Sequence, residues 1–139
     1  MSRIYAALMV MCASALFMYG CGLKPPPTQQ EIAKADYGRY PDTYKEIVTE
    51  YVTNRLIDPD SAKFSDWAAP YQAWYRDYRG NTFFGYKVCV FVNAKNRMGG
   101  YTGRKLYFVM IHNDRVVAED GGDYRYGTVG EEEAYKLCR

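Results

Sequence analysis

Two neighbouring apolar segments, residues 82–95 and 105–111, constrain the fold of this chain more than any other feature. In TFFGYKVCVFVNAK, apolar side chains occupy alternate positions and therefore share one face of a β-strand. The second segment, KLYFVMI, is apolar on both faces, which is typical of a central strand covered above and below. The chain must therefore supply cover for both faces of the sheet that contains these strands.

One amphipathic helix is predicted over residues 42–57, and it can cover one of these faces. Thr43 and Glu46 have the spacing of a capping box, and Asp42 adds a favourable negative charge at the start of the helix. Asp58 precedes a proline, which ends the helix. The buried stripe consists of apolar residues at intervals of three and four: Tyr44, Ile47, Val48, Tyr51, Val52 and Leu56.

Arg55 lies on the same stripe, near the end of the predicted helix. The expected arrangement extends its guanidinium past the apolar surface into solvent, where the charge suits the helix dipole. The alternative is a buried arginine that binds a ligand.

The remaining segments predict shorter elements. Residues 63–69 are expected to form a short strand, and residues 70–81 an irregular excursion or ragged strand that ends at a glycine turn. HND at residues 112–114 predicts a tight hairpin into a last strand, and three glutamates before Lys136 predict a short C-terminal helix. The fold class is therefore α+β: one amphipathic helix on a three- to four-stranded antiparallel meander, with the C-terminal helix on the other face.

The first 20 residues have the pattern of a bacterial lipoprotein signal peptide. A single charge, Arg3, precedes an apolar run that ends in MYGC, which is similar to a lipobox. Cleavage before Cys21 would leave that cysteine with a diacylglyceryl group. One alternative is secretory cleavage after ASA at residues 13–15, which would shorten the apolar run to about nine residues. An uncleaved membrane anchor is the other.

This pattern predicts three parts of the chain. Residues 1–20 form the signal peptide, residues 21–41 a lipidated cysteine with a proline-rich tether, and residues 42–139 a single globular domain. KPPP in the tether favours a stiff polyproline spacer. TQQE, which runs from Thr28 to Glu31, has the form of a capping box and allows a short helix through Ala35.

The cysteines then predict a disulfide. Cys12 is removed with the signal peptide and Cys21 is acylated, which leaves Cys89 and Cys138 in an oxidising compartment. Two buried free thiols are the alternative. If the bond forms, the C-terminal helix lies over the strand face that carries Cys89 and Phe91. That placement would explain the apolar residues at the middle of this face.

The segment between the two apolar strands, VNAKNRMGGYTGRK, is the candidate binding loop. Its glycines and asparagines tolerate left-handed backbone, and it is longer than a hairpin requires. A basic rim around one aromatic ring suits lipid head groups, peptidoglycan carboxylates or the edge of a partner protein. A glycine-shaped hairpin with solvated charges is the alternative. The candidate residues are Asn93, Lys95, Asn96, Arg97, Tyr101 and Arg104.

The sequence favours a binding or structural role over catalysis. Neither Ser61 nor Ser65 lies in a nucleophile motif, and His112 falls in the predicted hairpin. No metal or cofactor is expected, and a net charge of +2 gives no support to nucleic-acid binding. The alternative is a small periplasmic hydrolase or glycan-binding enzyme with paired carboxylates. Its candidate acids are Asp58 or Asp60 together with Glu119 or Asp120.

Three ordered motifs give the chain a resemblance to small proteobacterial lipoproteins of unknown function. They are YPDxYKEIVxxY at residues 40–51, LxDPDSAKF at residues 56–64 and NAKNxxGGYTG at residues 93–103. The resemblance implies an envelope lipoprotein held in the outer membrane by its acylated cysteine, with palmitate among its acyl chains. Gly22 after Cys21 is compatible with that destination. The expected protein is a non-enzymatic module that faces the periplasm or the cell surface and binds an envelope protein or a peptidoglycan component.

Overall fold

The computed structural model of the chain describes residues 24–121 and residue 138. Within them, five strands form one antiparallel sheet, and two α-helices and one 3-10 turn precede it. The elements are α1 (Gln29–Lys34), α2 (Tyr44–Thr53), the 3-10 turn (Pro59–Ser61), β1 (Lys63–Ser65), β2 (Tyr71–Arg76), β3 (Thr82–Asn93), β4 (Lys105–His112) and β5 (Arg115–Gly121). The signal peptide, Cys21 and the predicted C-terminal helix lie outside the described residues.

Strand β3 is the centre of the sheet because it is long enough to pair with two strands along one edge. Its first half pairs with β2 and its last three residues pair with β1, while β4 occupies its other edge and β5 follows β4. The expected α+β fold with an antiparallel sheet is therefore confirmed. The expected count of three or four strands is wrong, and the sheet is not a simple meander.

The additional strand is β2, in the segment for which the sequence predicts an irregular excursion or a ragged strand. Its burial lacks a clear alternation because it is an edge strand whose side chains are mostly half-buried on both sides. Hydrogen bonding to β3 and a turn built around Asp77 hold it in place. Strand β1 is shorter than predicted, because Asp66 adopts a left-handed conformation with φ of 52° and ends the ladder.

Helix α2 covers the second half of one face of β3, the face that carries the even-numbered residues of this strand. Val48 and Val52 are fully buried against Val88, Val90 and Ile111. The predicted capping box is wrong, since the side chain of Thr43 makes no cap hydrogen bond. The helix ends at Thr53, earlier than predicted, and its cap, Asn54, donates its N–H to the carbonyl of Glu50.

The first half of the same face is covered by residues 24–41, here called the strap. The rings of Tyr37 and Tyr40 pack edge-to-face on Phe84 and Tyr86, with centroids 5.8 and 5.3 Å apart, and Pro41 is fully buried. These contacts differ from the tether expected over residues 21–41. The folded unit begins before residue 42, because the aromatic residues of the strap bury apolar surface that α2 does not reach.

The strap is also tied to the hairpin between β4 and β5. Asn113 and Asp114 have φ of 49° and 60°, which fits the tight turn predicted there. The Asn113 side chain accepts a hydrogen bond from the N–H of Arg39, and Asp114 forms an ion pair with the Arg39 guanidinium.

Within the strap, the predicted capping box of α1 is confirmed: the Thr28 side chain accepts the backbone N–H of Glu31, and the Glu31 side chain accepts the backbone N–H of Thr28.

The opposite face of the sheet carries the two cysteines. Cys89, Leu106 and Phe108 form a buried cluster against which Cys138 packs. Cys89 and Cys138 are joined as a disulfide with their Cα atoms 6.0 Å apart. Lys87 and Asp120 are buried on the same face, and the Lys87 ammonium lies 5.0 Å from the centre of the Phe108 ring.

Candidate binding surface at the β3–β4 hairpin

The β3–β4 connection is a folded hairpin rather than an open loop. Lys95 pairs with Tyr101, and the N–H of Asn96 donates to the carbonyl of Gly100 at 2.9 Å. The Asn96 side-chain oxygen accepts the N–H groups of Met98 and Gly100 at 2.9 and 3.2 Å. Asn96 was expected to contact a partner, but its carbonyl oxygen is used within the turn.

One extra residue on the returning strand shapes the base of this hairpin. Val92 is opposite Lys105 and Lys95 is opposite Tyr101. The chain advances three residues on the β3 side between these two pairs and four on the returning side, so one returning residue is unpaired. Gly103 lies in this bulge with φ of 89°, a conformation that favours glycine. The extra residue places Tyr101 on the same face as Lys95. Arg104 precedes Lys105, which is opposite Val92, so it lies on the face away from Val92, with Asn93 and Phe91.

Two lysines from different strands meet on the ring of Tyr101. The Lys63 ammonium lies 4.5 Å from the ring centre and the Lys95 ammonium 5.6 Å from it. Lys63 is opposite Asn93 and Lys95 is opposite Tyr101, so strand alternation places these side chains on one face. We call Lys63, Lys95 and Tyr101 the Tyr101 platform. Residue Tyr101 is 44% exposed.

The other predicted binding residues surround this platform with different roles. Arg104 forms an ion pair with Asp66, and its guanidinium carbon lies 4.5 Å from the centre of the Phe91 ring. Among the described residues, the buried side-chain oxygen of Asn93 has no hydrogen-bond partner. Arg97 is exposed at the tip of the hairpin. Arg104 is therefore already engaged by an acid, whereas Arg97 extends the positive surface.

The 3-10 turn holds the base of the hairpin in place. The hydroxyl of Ser61, which is buried, accepts the N–H of Lys95 at 2.9 Å. Thr102 closes the other strand of the base through hydrogen bonds to the carbonyl of Ala94. The backbone of Lys95 is therefore fixed, although its side chain is on the surface.

An open cavity of about 130 Å³ adjoins the platform on the side of α2. Its apolar floor lies between the end of the helix and the base of the hairpin, and cationic side chains stand at its rim. Its lining consists of Arg55, Leu56, Ile57, Val92, Ala94, Lys95, Asn96, Thr102, Lys105 and Tyr107. Lys95 borders both the cavity and the platform, but strand alternation places the Tyr101 ring on the face of Asn93 and the Val92 and Ala94 side chains that line the cavity on the other face.

Arg55 adopts the expected solvent-facing arrangement and not the buried one. Its guanidinium stacks 3.4 Å above the centre of the Tyr51 ring and lies 3.4 Å from the Glu119 carboxylate. Its side chain is half-exposed. Desolvation raises the pKa of the Tyr51 hydroxyl, and the nearby Glu119 carboxylate raises it further.

Two of the acids considered for a hydrolase, Glu119 and Asp120, lie on opposite faces of the sheet. Glu119 contacts Arg55 on the helix-covered face, whereas Asp120 accepts a hydrogen bond from the Tyr75 hydroxyl on the face of the disulfide. Successive strand residues point to opposite faces, so the two carboxylates are separated by the sheet. Asp60 is exposed, and Asp58 precedes the 3-10 turn, where its backbone carbonyl accepts the Ser61 hydroxyl.

The chemistry of the platform is that of an anion receptor. Two ammonium groups beside one ring can both donate to a carboxylate or phosphate oxygen, and charge-assisted hydrogen bonds are stronger than neutral ones.

In residues 24–121 and at residue 138, no group of histidine, cysteine or acidic side chains has the arrangement of a metal site. Within the same ranges, no helix is long and apolar enough to cross a membrane.

Sequence reasoning identified Lys95, Tyr101 and Arg97 but missed Lys63. The sequence predicts a strand that begins at Lys63, but it does not show which strand pairs with it, so the proximity of Lys63 to Tyr101 could not be predicted.

Comparison with protein-family models, curated proteins and solved structures finds no match.

Proposed function

We propose that this chain is a lipid-anchored envelope protein whose Tyr101 platform binds peptidoglycan through its carboxylates. It acts as a non-enzymatic binding module. The observation that carries the proposal is the convergence of Lys63 and Lys95 on the exposed ring of Tyr101. The lipobox before Cys21 supports the anchor, and the signal peptide supports export.

The geometry of the platform suits a carboxylate attached to a larger, partly apolar body. The two ammonium groups supply the charge, while the ring of Tyr101 can contact apolar atoms. Peptidoglycan peptides repeat this combination of carboxylate and methyl groups along a polymer.

Co-sedimentation with purified peptidoglycan tests the binding. The full-length lipidated protein in detergent should sediment with peptidoglycan, and the Lys63→Ala/Lys95→Ala variant should bind about tenfold more weakly. Wild-type binding should also weaken with added salt, because exposed charges are screened. The matched control is Lys34→Ala/Lys45→Ala, which removes the same charge from exposed helix positions.

Two results would contradict the proposal. Equal sedimentation of the platform variant and the wild type would show that the lysines do not bind peptidoglycan. Photo-crosslinking from position 101 in cells that captures an envelope protein, with no peptidoglycan fragments, would replace peptidoglycan by a protein partner.

The lipid anchor is tested separately by intact mass and fractionation. The mature protein from membranes should lack 20 residues and carry the mass of acyl chains on Cys21. Cys21→Ser should leave the membrane fraction, whereas Cys12→Ser should remain there with an unchanged mature mass. A Cys21→Ser protein that stays membrane-bound at wild-type size would remove the anchor from the proposal.

A further inference from the structure

We propose that the β2–β3 turn, residues 77–81, rests on the phospholipid surface of the membrane that holds the anchor. This inference depends on the lipidation of Cys21 in the proposed function. It assigns the surface a partner of defined chemistry, the phosphate-bearing headgroup layer. It also fixes which end of the domain faces the bilayer.

The first step is the position of the strap where it emerges near Cys21. The guanidinium of Arg76, the last residue of β2, donates from Nη1 to the carbonyl oxygens of Pro25, at 2.7 Å, and of Lys24. Its Nε donates to the Thr82 hydroxyl at 3.0 Å, which orients the guanidinium across the start of β3. Arg76 therefore holds the start of the strap at the end of the β2–β3 pair.

The second step is the reach of the chain. Only three residue steps separate Lys24 from Cys21, and a fully extended chain covers about 10 Å in that number. The diacylglyceryl group must enter the bilayer, so the membrane surface lies within about this distance of Lys24. Any side chain that projects from the same end of the sheet is brought to the headgroup layer.

The turn beside Arg76 presents two side chains suited to that layer. Tyr78 is 86% exposed, and Arg79 is exposed next to it. Arg79 donates from Nε to the Tyr78 hydroxyl at 2.9 Å, and its guanidinium lies 5.2 Å from the ring centre. Tyrosine is enriched at membrane interfaces because its ring is apolar and its hydroxyl polar, and arginine binds phosphate.

The turn is built to hold this pair in a fixed position. The Asp77 carboxylate accepts the N–H groups of Arg79 and Asn81 at 2.9 and 2.8 Å and the Asn81 side-chain amide at 2.9 Å. Gly80 has φ of 82°, which closes the turn without strain. A rigid turn loses little conformational entropy when it meets a surface, which favours binding.

The Tyr101 platform lies at the other end of the same strand. Strand β3 has 12 residues and spans about 36 Å. With residues 77–81 on the bilayer, the platform projects away from it, toward a polymer outside the headgroup layer. The orientation thus agrees with peptidoglycan as the ligand and disfavours lipid head groups of the anchoring membrane at the platform.

Site-specific photo-crosslinking tests the orientation. A diazirine amino acid is placed at position 78 or 98 of the full-length lipidated protein, which is reconstituted into vesicles of phosphatidylethanolamine and phosphatidylglycerol. Met98 is the matched control because it is 92% exposed at the opposite end. We expect lipid adducts at position 78 at least about tenfold above those at position 98.

The possible results separate this inference from the proposed function. Lipid labelling at position 98 equal to that at position 78, or no labelling at 78 in an acylated protein, overturns the orientation alone. A mature protein without acyl mass overturns both. In a second measurement, Arg79→Glu should reduce adducts at position 78 on anionic vesicles, and an unchanged yield would exclude headgroup contact by Arg79.

Discussion

The hydroxyl of Ser61 joins two segments of the chain that are 34 residues apart, because it accepts the backbone N–H of Lys95 at 2.9 Å. It also donates to the carbonyl of Asp58 at 2.7 Å, so both of its hydrogen-bonding roles are filled. Ser61 belongs to the DPDSAKF motif and Lys95 to the NAKN motif. The two motifs therefore meet at the base of the candidate binding surface.

Removing this hydroxyl should destabilise the fold and displace the platform. Ser61→Ala leaves the Lys95 N–H without its acceptor at a buried site, which should lower the free energy of unfolding by about 1–3 kcal/mol. Urea denaturation measures the loss, and peptidoglycan sedimentation should fall with it. Ser65→Ala, in β1, is the control, and an equal effect of both variants would contradict the assigned role of Ser61.

The disulfide should contribute a large share of the stability of the domain. It closes a loop with a sequence separation of 49 residues, for which chain entropy predicts about 4 kcal/mol of stabilisation. Cys138→Ala should lower the free energy of unfolding toward that extent and expose one titratable thiol. Reduced wild type should behave like the variant, and two reactive thiols in the untreated protein would exclude the bond.

Gly38 should tolerate no side chain, because the strap passes against the β4–β5 hairpin at this residue. It has φ of 72°, and an added Cβ would lie 2.8 Å from the backbone nitrogen of Asn113. Gly38→Ala should therefore cost about 1–3 kcal/mol and increase proteolysis of the strap. Gly100→Ala is the control, since its Cβ would lie 3.9 Å from the nearest atom. Equal melting temperatures for the two variants would contradict the prediction.

Alkaline pH should destabilise the protein through Tyr75. Desolvation, with a further effect of the Asp120 carboxylate, raises the pKa of the Tyr75 hydroxyl to about 12. An unfolded tyrosine ionises near pH 10, so this contribution to stability is complete below about pH 10 and is lost as the pH rises toward about 12.

Tyr75→Phe should therefore flatten the decline of unfolding free energy between about pH 10 and 12. It should also lower stability by about 1 kcal/mol at neutral pH, since the hydrogen bond to Asp120 is lost. Tyr78→Phe serves as the control because Tyr78 is almost fully exposed. If both variants decline as steeply as the wild type, Tyr75 is not the titrating group.

The sequence predicts the parts of the fold in which one strong pattern decides the structure. Alternation in β3, apolar residues on both faces of β4 and the stripe of α2 all lead to the observed elements. The strap and β2 lack such a pattern, since each is stabilised by contacts with β3 and not by its own periodicity. The lengths of α2 and β3 could have predicted the strap. The helix spans about 15 Å and the strand about 36 Å, so a second segment must cover the rest of the strand.

The candidate site could be predicted only where its residues are close in sequence. Lys95 and Tyr101 belong to one hairpin, so their proximity follows from its strand pairing. Lys63 comes from β1, and its place depends on the register with Asn93, which no local pattern specifies. A turn role is expected for the asparagines of this segment, but the sequence does not specify that the side-chain oxygen of Asn96 accepts two N–H groups within the turn.

The position of Cys138 in the chain also sets the order in which the sheet and the disulfide can form. All five strands lie between residues 63 and 121, so every strand has been synthesised before Cys138 exists. The sheet can therefore assemble while Cys89 still carries a free thiol, and the bond closes on a chain whose strands are already complete. Burial of Cys89 in the assembled sheet limits the access of other thiols to it until Cys138 is in place.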